Sequence, residues 1–186
     1  MQRFLRRVAV IGGVRIPFCR SNTFYADLSN LDMMTGALNA LVERYNLKGQ
    51  HIDEVIGGAV VTHSKDWNLA REAVLGTRLA ASTPGVTMMQ ACGTSLQGAL
   101  GSAAKIAAGE IESAIAVGSD TTSDAPIVVS KKLAQRLTKA SQQKSTMDKL
   151  KVFKGFSPAE LMPKPPSVTE PRTGLTLGQH CEPMAH

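Results

Sequence analysis

Short apolar runs alternate with stretches of helical periodicity over the first two thirds of the chain. The apolar runs cover residues 7–14, 53–61, 86–90 and 113–120, and each predicts a strand. Between them, helices are predicted from Ser29 onward, over about 68–79 and over about 93–109. Ser29 and Asp32 have the spacing of an approximate capping box at the first helix. The predicted order is therefore β-α-β-α-β-α-β.

Alternating strands and helices are typical of an α/β fold with a mainly parallel sheet. The predicted strands are apolar on both sides, so helices are expected to cover both faces. The sequence thus predicts an α/β layered fold with a mixed, mainly parallel sheet. The pattern ends at Asp120, where we place a boundary between an α/β domain (1–120) and a second region (121–186). Residues 131–152 predict one or two helices there, and five prolines between Pro158 and Pro171 predict an irregular segment.

The net charge of +6 is concentrated in the second region. Residues 1–120 carry 11 Lys/Arg and 10 Asp/Glu, whereas residues 121–186 carry 10 and 5. The excess indicates either a solvated surface or attraction for a polyanion, namely a phosphate-rich cofactor, an anionic membrane surface or nucleic acid. Aromatic residues make up only 4% and no nucleic-acid-binding motif occurs, so nucleic acid is not expected as a partner.

Several other classes of protein are excluded by composition. No stretch approaches the roughly 20 apolar residues of a transmembrane helix. The three cysteines, Cys19, Cys92 and Cys181, are odd in number and far apart, which argues against a disulfide framework and a metal site. The arginine-rich start is too short for a transit peptide. We therefore expect a cytoplasmic protein, with a mitochondrial location as an open alternative.

Cys92 is the leading candidate for chemistry. It follows a predicted strand and opens a predicted helix, where free N–H groups and the helix dipole favour a thiolate. Gly93 would let a substrate carbonyl approach the backbone, and the Cys92 N–H could donate to an oxyanion. A buried cysteine packing as a small hydrophobe is the alternative. Cys19 and Cys181 lack such a placement.

A cysteine nucleophile needs a base within hydrogen-bond reach. His63 follows the second predicted strand, at the end of the sheet where sites of α/β proteins gather. His51 precedes that strand, and His180 and His186 lie in the tail. None of the four occurs in a motif that identifies it as the base.

Five segments, in order and spacing, resemble the N-terminal half of a thiolase, an acetyl-CoA C-acyltransferase. VRIPF is similar to the family's "VRTP" segment, and QACGTSLQGA is similar to the segment that holds its catalytic cysteine. The other three are DEVIGGAVV, NLAREAVL and IAVGSDTTSDAP. The resemblance extends over nearly all of residues 7–186. Residues 123–127, 130–132 and 163–170 are similar to the beta-subunit type of the fatty-acid-oxidation trifunctional complex.

The resemblance implies a thiolase-like layered fold that is incomplete. By it, residues 121–186 are a partial loop domain, and the α/β domain lacks its last strand. The family's second half carries a histidine in "GHPxG" and a second cysteine in "CxGxG", and neither motif occurs in this sequence. The chain also departs from the family at Gly93-Thr94-Ser95, where many thiolases read "ASG" or "SSG". Leu177 stands where the family often has Met, and Cys181 replaces a small residue.

The implied function is acyl transfer between a cysteine and coenzyme A, by 3-ketoacyl-CoA thiolysis in fatty-acid β-oxidation. Cys92 would form the acyl-thioester intermediate, with Gly93 and Leu177 contacting substrate. Coenzyme A would be a co-substrate, with no bound cofactor and no metal. Expected partners are acyl-CoA, CoA, a C-terminal thiolase half or a second copy, and a β-oxidation multienzyme complex. Without a C-terminal half the chain is expected to be inactive.

Two other functions stay open at this point. The first is a non-catalytic thiolase-like protein that binds an acyl-CoA or a partner. The second is a ketoacyl synthase-like condensing enzyme, which shares the fold and a nucleophile after alanine, although VRIPF and NLAREAVL argue against it.

Overall fold

Three parallel strands form the sheet of this protein, for which a computed structural model describes residues 6–164 and 167–184. They are β1 (Glu54–Gly58), β2 (Gly85–Thr87) and β3 (Ala114–Gly118), in the spatial order β2-β1-β3. Val55 pairs with Gly85, and Glu54 pairs with Ala114. The mainly parallel sheet is thus confirmed, and every described strand pair is parallel.

The predicted strand over residues 7–14 is wrong. That segment is extended but pairs with no described strand, and Val10 and Ile11 are 93% and 85% exposed. Near it, the Arg6 N–H donates to the Ala107 carbonyl and the Arg44 side chain donates to the Gly13 carbonyl. An apolar run forms a strand only where a neighbouring edge accepts its backbone hydrogen bonds. Residues 7–14 have no such edge among the described residues.

Three helices surround the sheet: α1 (Asn30–Arg44), α2 (Leu69–Leu75) and α3 (Thr94–Ala108). Ser29 caps α1 in a capping box with Asp32, as predicted. Gly109 ends α3 in the left-handed conformation (φ 74°) that favours glycine at a helix C-terminus. The capping residues and apolar periodicity that define these helices lie within the helices' own sequence, so the helices were predictable.

The two faces of β1 are covered by different helices. Val55 belongs to a buried cluster with residues of α1 and α2, among them Met34, Leu38 and Val74. On the other face, Ile56 contacts α3, where a Cβ added to Gly98 would lie 3.0 Å from the Ile56 Cγ2. Alternate residues of a strand point to opposite faces. The predicted covering of both faces by helices is therefore confirmed.

A second compact unit runs from Pro126 to His186, after a first unit of Met1–Ala125. It contains α4 (Lys131–Ser141), α5 (Thr146–Lys151) and α6 (Leu177–Cys181), so residues 131–152 form two basic helices. Two 3₁₀ helices cover Pro158–Leu161 and Glu182–Met184. Pro165 and Pro166, within the predicted irregular segment, lie outside the described residues.

One arginine organises the described part of the second unit. The Arg136 guanidinium donates to the Glu160 carboxylate (Nε to Oε2, 2.8 Å) and to the carbonyls of Val152, Lys154 and Gly155. The side chain of Arg136 is 23% exposed and that of Glu160 is 9% exposed. Arg136 thereby joins α4 to the turn after α5 and to the 3₁₀ helix of Glu160. None of the described helices is long and apolar enough to span a bilayer.

Candidate functional site

Cys92 lies in a tight turn between β2 and α3, and it is exposed. Gly93 is the N-cap residue of α3, and its N–H donates to the Gln90 carbonyl at 3.0 Å. The Cys92 side chain therefore lies at the positive end of a 15-residue helix. The predicted placement of Cys92 between a strand and the start of a helix is thus observed.

The backbone of the turn departs from ordinary geometry just before the cysteine. Ala91 has φ 43°, in the left-handed region that a residue with a Cβ rarely adopts. The buried Thr94 side chain bridges this residue. Its Oγ1 accepts from the Gln90 N–H (2.8 Å) and donates to the Ala91 carbonyl (2.8 Å). The turn is thus fixed on both sides of Ala91 by one hydroxyl group.

Two glycines allow the turn and α3 to approach the sheet. A Cβ on Gly58 of β1 would collide with the Met88 carbonyl oxygen and lie 2.8 Å from the Thr94 Cγ2. A Cβ on Gly118 of β3 would lie 3.1 Å from the Ser95 Cβ. The missing side chains thus place the start of α3 directly above the carboxyl ends of β1 and β3.

Cys92 lies on the wall of a cavity of about 700 Å³. Another part of the wall is the extended segment from Val14 to Ser21, which includes Cys19 and precedes Tyr25. Burial raises the pKa of Tyr25, and the neighbouring Cys19 thiol raises this pKa further. The cavity also has charged groups on its wall, namely Arg15, Arg20 and Asp120.

Asp120 fixes the loop that follows β1. Its carboxylate oxygens accept from the N–H groups of Val60 (2.7 Å) and Val61 (2.9 Å). The next residues of that loop lead to His63, whose Nε2 lies 2.6 Å from the Asp124 carbonyl oxygen and 3.2 Å from its Oδ1. His63 does not line the cavity of Cys92. Its described contacts are those of a loop-fixing residue.

The other predicted site residues are distributed as follows. Gly93 lies beside Cys92, whereas Leu177 lies in the second unit, at the start of α6, and is 77% exposed. His180 contacts Glu170 and Thr173 in that second unit. His51 contacts Ser82. His186 lies outside the described residues. No histidine lines the cavity among the described residues. Those residues also contain no group of three or more His, Cys, Asp or Glu side chains able to hold a metal ion.

Sequence reasoning missed three residues of the site. Thr94 could have been found, because a hydroxyl residue two positions after a candidate nucleophile, at a helix start, is a typical local hydrogen-bonding group. Cys19 and Asp120 had no comparable signal. Cys19 joins the cavity through the path of the extended segment, and Asp120 acts on a loop about 60 residues earlier.

Known proteins are similar to this chain in sequence over nearly its whole length. Residues 8–159 match the family described as "Thiolase, N-terminal domain". The chain is 40% identical to a 3-ketoacyl-CoA thiolase of Shewanella sp. (strain ANA-3) and 37% identical to one of Alteromonas mediterranea. Each alignment covers 96% of this chain but 41% of the relative. The chain thus spans about two fifths of the length of these curated relatives.

Solved structures give the same result for the fold. An acetyl-CoA acetyltransferase of Bacillus anthracis superposes with a TM-score of 0.74 at 20% identity, covering 99% of this chain and 42% of that protein. The Acat5 thiolase of Ascaris suum, solved in complex with coenzyme A, superposes with a TM-score of 0.53 at 25% identity. That superposition covers 60% of this chain and 29% of the Ascaris protein.

Proposed function

Because this chain belongs to the thiolase family, as an N-terminal domain, we propose that it is the N-terminal part of a 3-ketoacyl-CoA thiolase whose nucleophile is Cys92. The observation that carries the proposal is the placement of Cys92. It is exposed at the N-terminus of α3, on the wall of a cavity large enough for an acyl group. A thioester substrate can reach a thiol at this position, and the thiol can later be released as a thiolate when the acyl group is transferred from it.

The proposed reaction is thiolysis of a 3-oxoacyl-CoA in two steps. The Cys92 thiolate attacks the 3-keto carbonyl, and the bond between Cα and Cβ breaks, which releases the enolate of acetyl-CoA. An acid protonates that enolate, and the acyl group stays on Cys92 as a thioester. The thiol of free CoA then attacks the thioester, loses its proton to a base and regenerates Cys92. Division of one difficult step into two is the general advantage of covalent catalysis.

The described residues supply part of this chemistry. Cys92 supplies the nucleophile, and its N–H at the start of α3 is the proposed donor to an oxyanion. Gly93 donates its own N–H to Gln90, and its contribution is the absence of a side chain beside the thiol. The base and the acid are not found on the described wall of the cavity. We propose that a C-terminal thiolase half supplies both.

The finer features of the reaction are proposals of the same kind. Coenzyme A and acyl-CoA are the proposed substrates, which is supported by the coenzyme A of the Ascaris thiolase structure. Leu177 is the proposed substrate contact of the second unit, and the boundary of the domains is proposed near residue 120. A second copy or a β-oxidation complex in the cytoplasm is the proposed setting. The curated relatives are about 2.4 times as long as this chain, which supports the proposal that its activity needs a further half.

A second candidate function is supported by the same cavity. His63 is held by Asp124 away from the cavity, and no described histidine lines it. These observations favour a thiolase-like protein that binds an acyl-CoA without turning it over. A condensing enzyme of the ketoacyl synthase type has no comparable support, since the matched family is the thiolases.

Acylation by octanoyl-CoA distinguishes the two functions. The thiol of Cys92 would displace CoA and retain the octanoyl group, a mass increase measurable on the intact chain. We expect one adduct per chain, abolished by Cys92→Ser and retained by the matched control Cys19→Ser. Binding of octanoyl-CoA without an adduct, even after addition of the C-terminal half of a relative, would favour the non-catalytic function. An adduct that survives Cys92→Ser would overturn the assignment of the nucleophile.

A further inference from the structure

We propose that Thr94 is the positioning residue of Cys92, and that its hydroxyl group, rather than its packing, holds the thiol at the N-terminus of α3. This inference rests on the proposed function only in so far as Cys92 is the nucleophile. Thr94 does not line the cavity and is 5% exposed. It therefore acts through the backbone of residues 90–94, called here the Cys92 turn.

The hydroxyl of Thr94 both accepts and donates a hydrogen bond. As an acceptor it binds the Gln90 N–H, and as a donor it binds the Ala91 carbonyl, each at 2.8 Å. The backbone N–H of Thr94 reaches the same Ala91 carbonyl at 3.2 Å. A hydroxyl is the smallest side-chain group that can accept and donate at once. No aliphatic side chain can make either bond.

These bonds restrain the peptide group that joins Ala91 to Cys92. The Ala91 carbonyl oxygen accepts from two donors of Thr94, its N–H and its hydroxyl. Ala91 itself has φ 43°, a conformation that the Cβ of an L-residue disfavours. Without the restraint, Ala91 would relax toward negative φ. The rotation would turn the Cα–Cβ bond of Cys92 away from the start of α3, because the two residues share this peptide plane.

The methyl group of Thr94 has a separate contact. It lies where Gly58 has no side chain, 2.8 Å from the position of an added Cβ. Packing and hydrogen bonding are thus carried by different atoms of one residue. Thr94→Val keeps the methyl and removes the hydroxyl, whereas Thr94→Ser keeps the hydroxyl and removes the methyl. The pair of variants separates a positioning role from a merely structural one.

The test uses the full chain with Cys19→Ser and Cys181→Ser, so that Cys92 is the single thiol. We measure its rate of alkylation by iodoacetamide from mildly acidic to mildly alkaline pH. In Thr94→Val we expect about threefold to fivefold slower alkylation at neutral pH, because the thiol then lies farther from the free N–H groups at the start of α3. Thr94→Ser should stay within about twofold of the parent, and exposed Thr138→Val in α4 is the matched control for loss of a threonine hydroxyl.

A second substitution tests the backbone argument. Glycine adopts positive φ without strain, so Ala91→Gly in the Thr94→Val background should recover much of the lost rate. Equal rates of alkylation in Thr94→Val and the parent across this pH range would overturn the proposal. Equal losses in Thr94→Ser and Thr94→Val would also overturn it, because packing of the methyl group would then matter as much as the hydroxyl. If circular dichroism shows Thr94→Val unfolded, Thr94→Ala replaces it, since serine and alanine differ only by the hydroxyl.

Alkylation keeps this test separate from the proposed function. Iodoacetamide needs only the thiol, whereas octanoyl-CoA needs a site for acyl transfer. A chain that depends on the Thr94 hydroxyl for alkylation but takes no octanoyl group would support the positioning role and overturn acyl transfer alone. Equal alkylation of the parent and Thr94→Val, together with equal acylation of both, would overturn the positioning role alone.

Discussion

At the scale of single residues, the closest backbone approach in the first unit depends on the missing side chain of Gly58. We expect Gly58→Ala to lower the free energy of unfolding by about 1–3 kcal/mol, as overpacking of a core typically does. The added methyl would meet the Met88 carbonyl and the Thr94 methyl, which are held by the sheet and by α3. Urea unfolding followed by circular dichroism measures the change.

The matched control for this substitution is Gly101→Ala. Gly101 lies inside α3 with nothing within 4 Å of an added Cβ. Alanine is the better helix former there by up to about 1 kcal/mol, so this variant should be unchanged or more stable. Equal stability of the two variants would mean that the Cys92 turn can move away from β1.

Glu160 gives the second unit a dependence on pH. Hydrogen bonds from the Arg136 side chain hold the pKa of the Glu160 carboxyl below its usual range. A lowered pKa in the folded state stabilises the protein above the unfolded pKa, and this stability is lost as pH falls through the folded value. We therefore expect Glu160→Gln to be less stable than the parent at neutral pH, and the difference to shrink below about pH 4.

Thermal unfolding followed across this pH range measures the effect of Glu160→Gln. Asp148→Asn in α5 serves as the comparison, because the Asp148 side chain is 48% exposed and its ion-pair partner is Lys151 rather than Arg136. A constant difference between parent and Glu160→Gln from neutral to acidic pH would contradict the assignment to the charged carboxylate.

At the same scale, part of the site was predictable from sequence. The placement of Cys92 and Gly93 was predictable, because a strand-to-helix junction is a local pattern. The roles of Cys19 and Asp120 were not, because they depend on which segments meet in space. Ala91 carried no signal at all, since its positive φ follows from hydrogen bonds of Thr94 and not from its own side chain.

At the scale of elements, α1 depends on its capping box. The Ser29 Oγ accepts from the Asp32 N–H at 3.2 Å, and the Ser29 N–H donates to the Asp32 carboxylate at 2.9 Å. We expect Ser29→Ala to cost about 1 kcal/mol of unfolding free energy. Urea unfolding measures it, with Ser64→Ala in an exposed loop as the control. A loss in Ser64→Ala equal to that in Ser29→Ala would show that the cap is not its source.

The helices of the first unit were predicted more accurately than its strands for a physical reason. Capping residues and apolar periodicity act within one helix, so α1 and α3 begin and end close to the predicted residues. A strand depends on a second strand elsewhere. Residues 7–14 have the composition of a strand without a described partner, and β2 is shorter than predicted because it pairs with β1 over only three residues.

At the scale of the whole molecule, apolar side chains remain uncovered on α3 and on residues 7–14. Leu96 and Leu100 are 66% and 57% exposed on one side of the helix, and Val10 and Ile11 are also exposed. Exposed apolar groups of this kind promote association. We expect the isolated chain to associate with itself as its concentration rises, as measured by size-exclusion chromatography with light scattering.

Substitutions on α3 test the cause of this association. Leu96→Glu with Leu100→Glu should reduce it, because charges on that side of the helix repel a second apolar surface. Exposed Leu161→Glu in the second unit is the control, and its effect on association should be smaller. A parent chain that stays monomeric at high concentration would contradict the expectation.

The strand order has a consequence for how fast the chain folds. The central strand β1 comes first in the sequence, and its partners on β2 and β3 lie 30 and 60 residues further along. Loops of this length must close before either pairing repays their entropy, which makes folding slow relative to helical proteins. During synthesis β1 has no neighbouring strand until β2 has left the ribosome, and its other edge stays unpaired until β3 has followed. The buried, apolar Val55 and Ile56 are exposed for that interval, and this is when the nascent chain is most prone to aggregate.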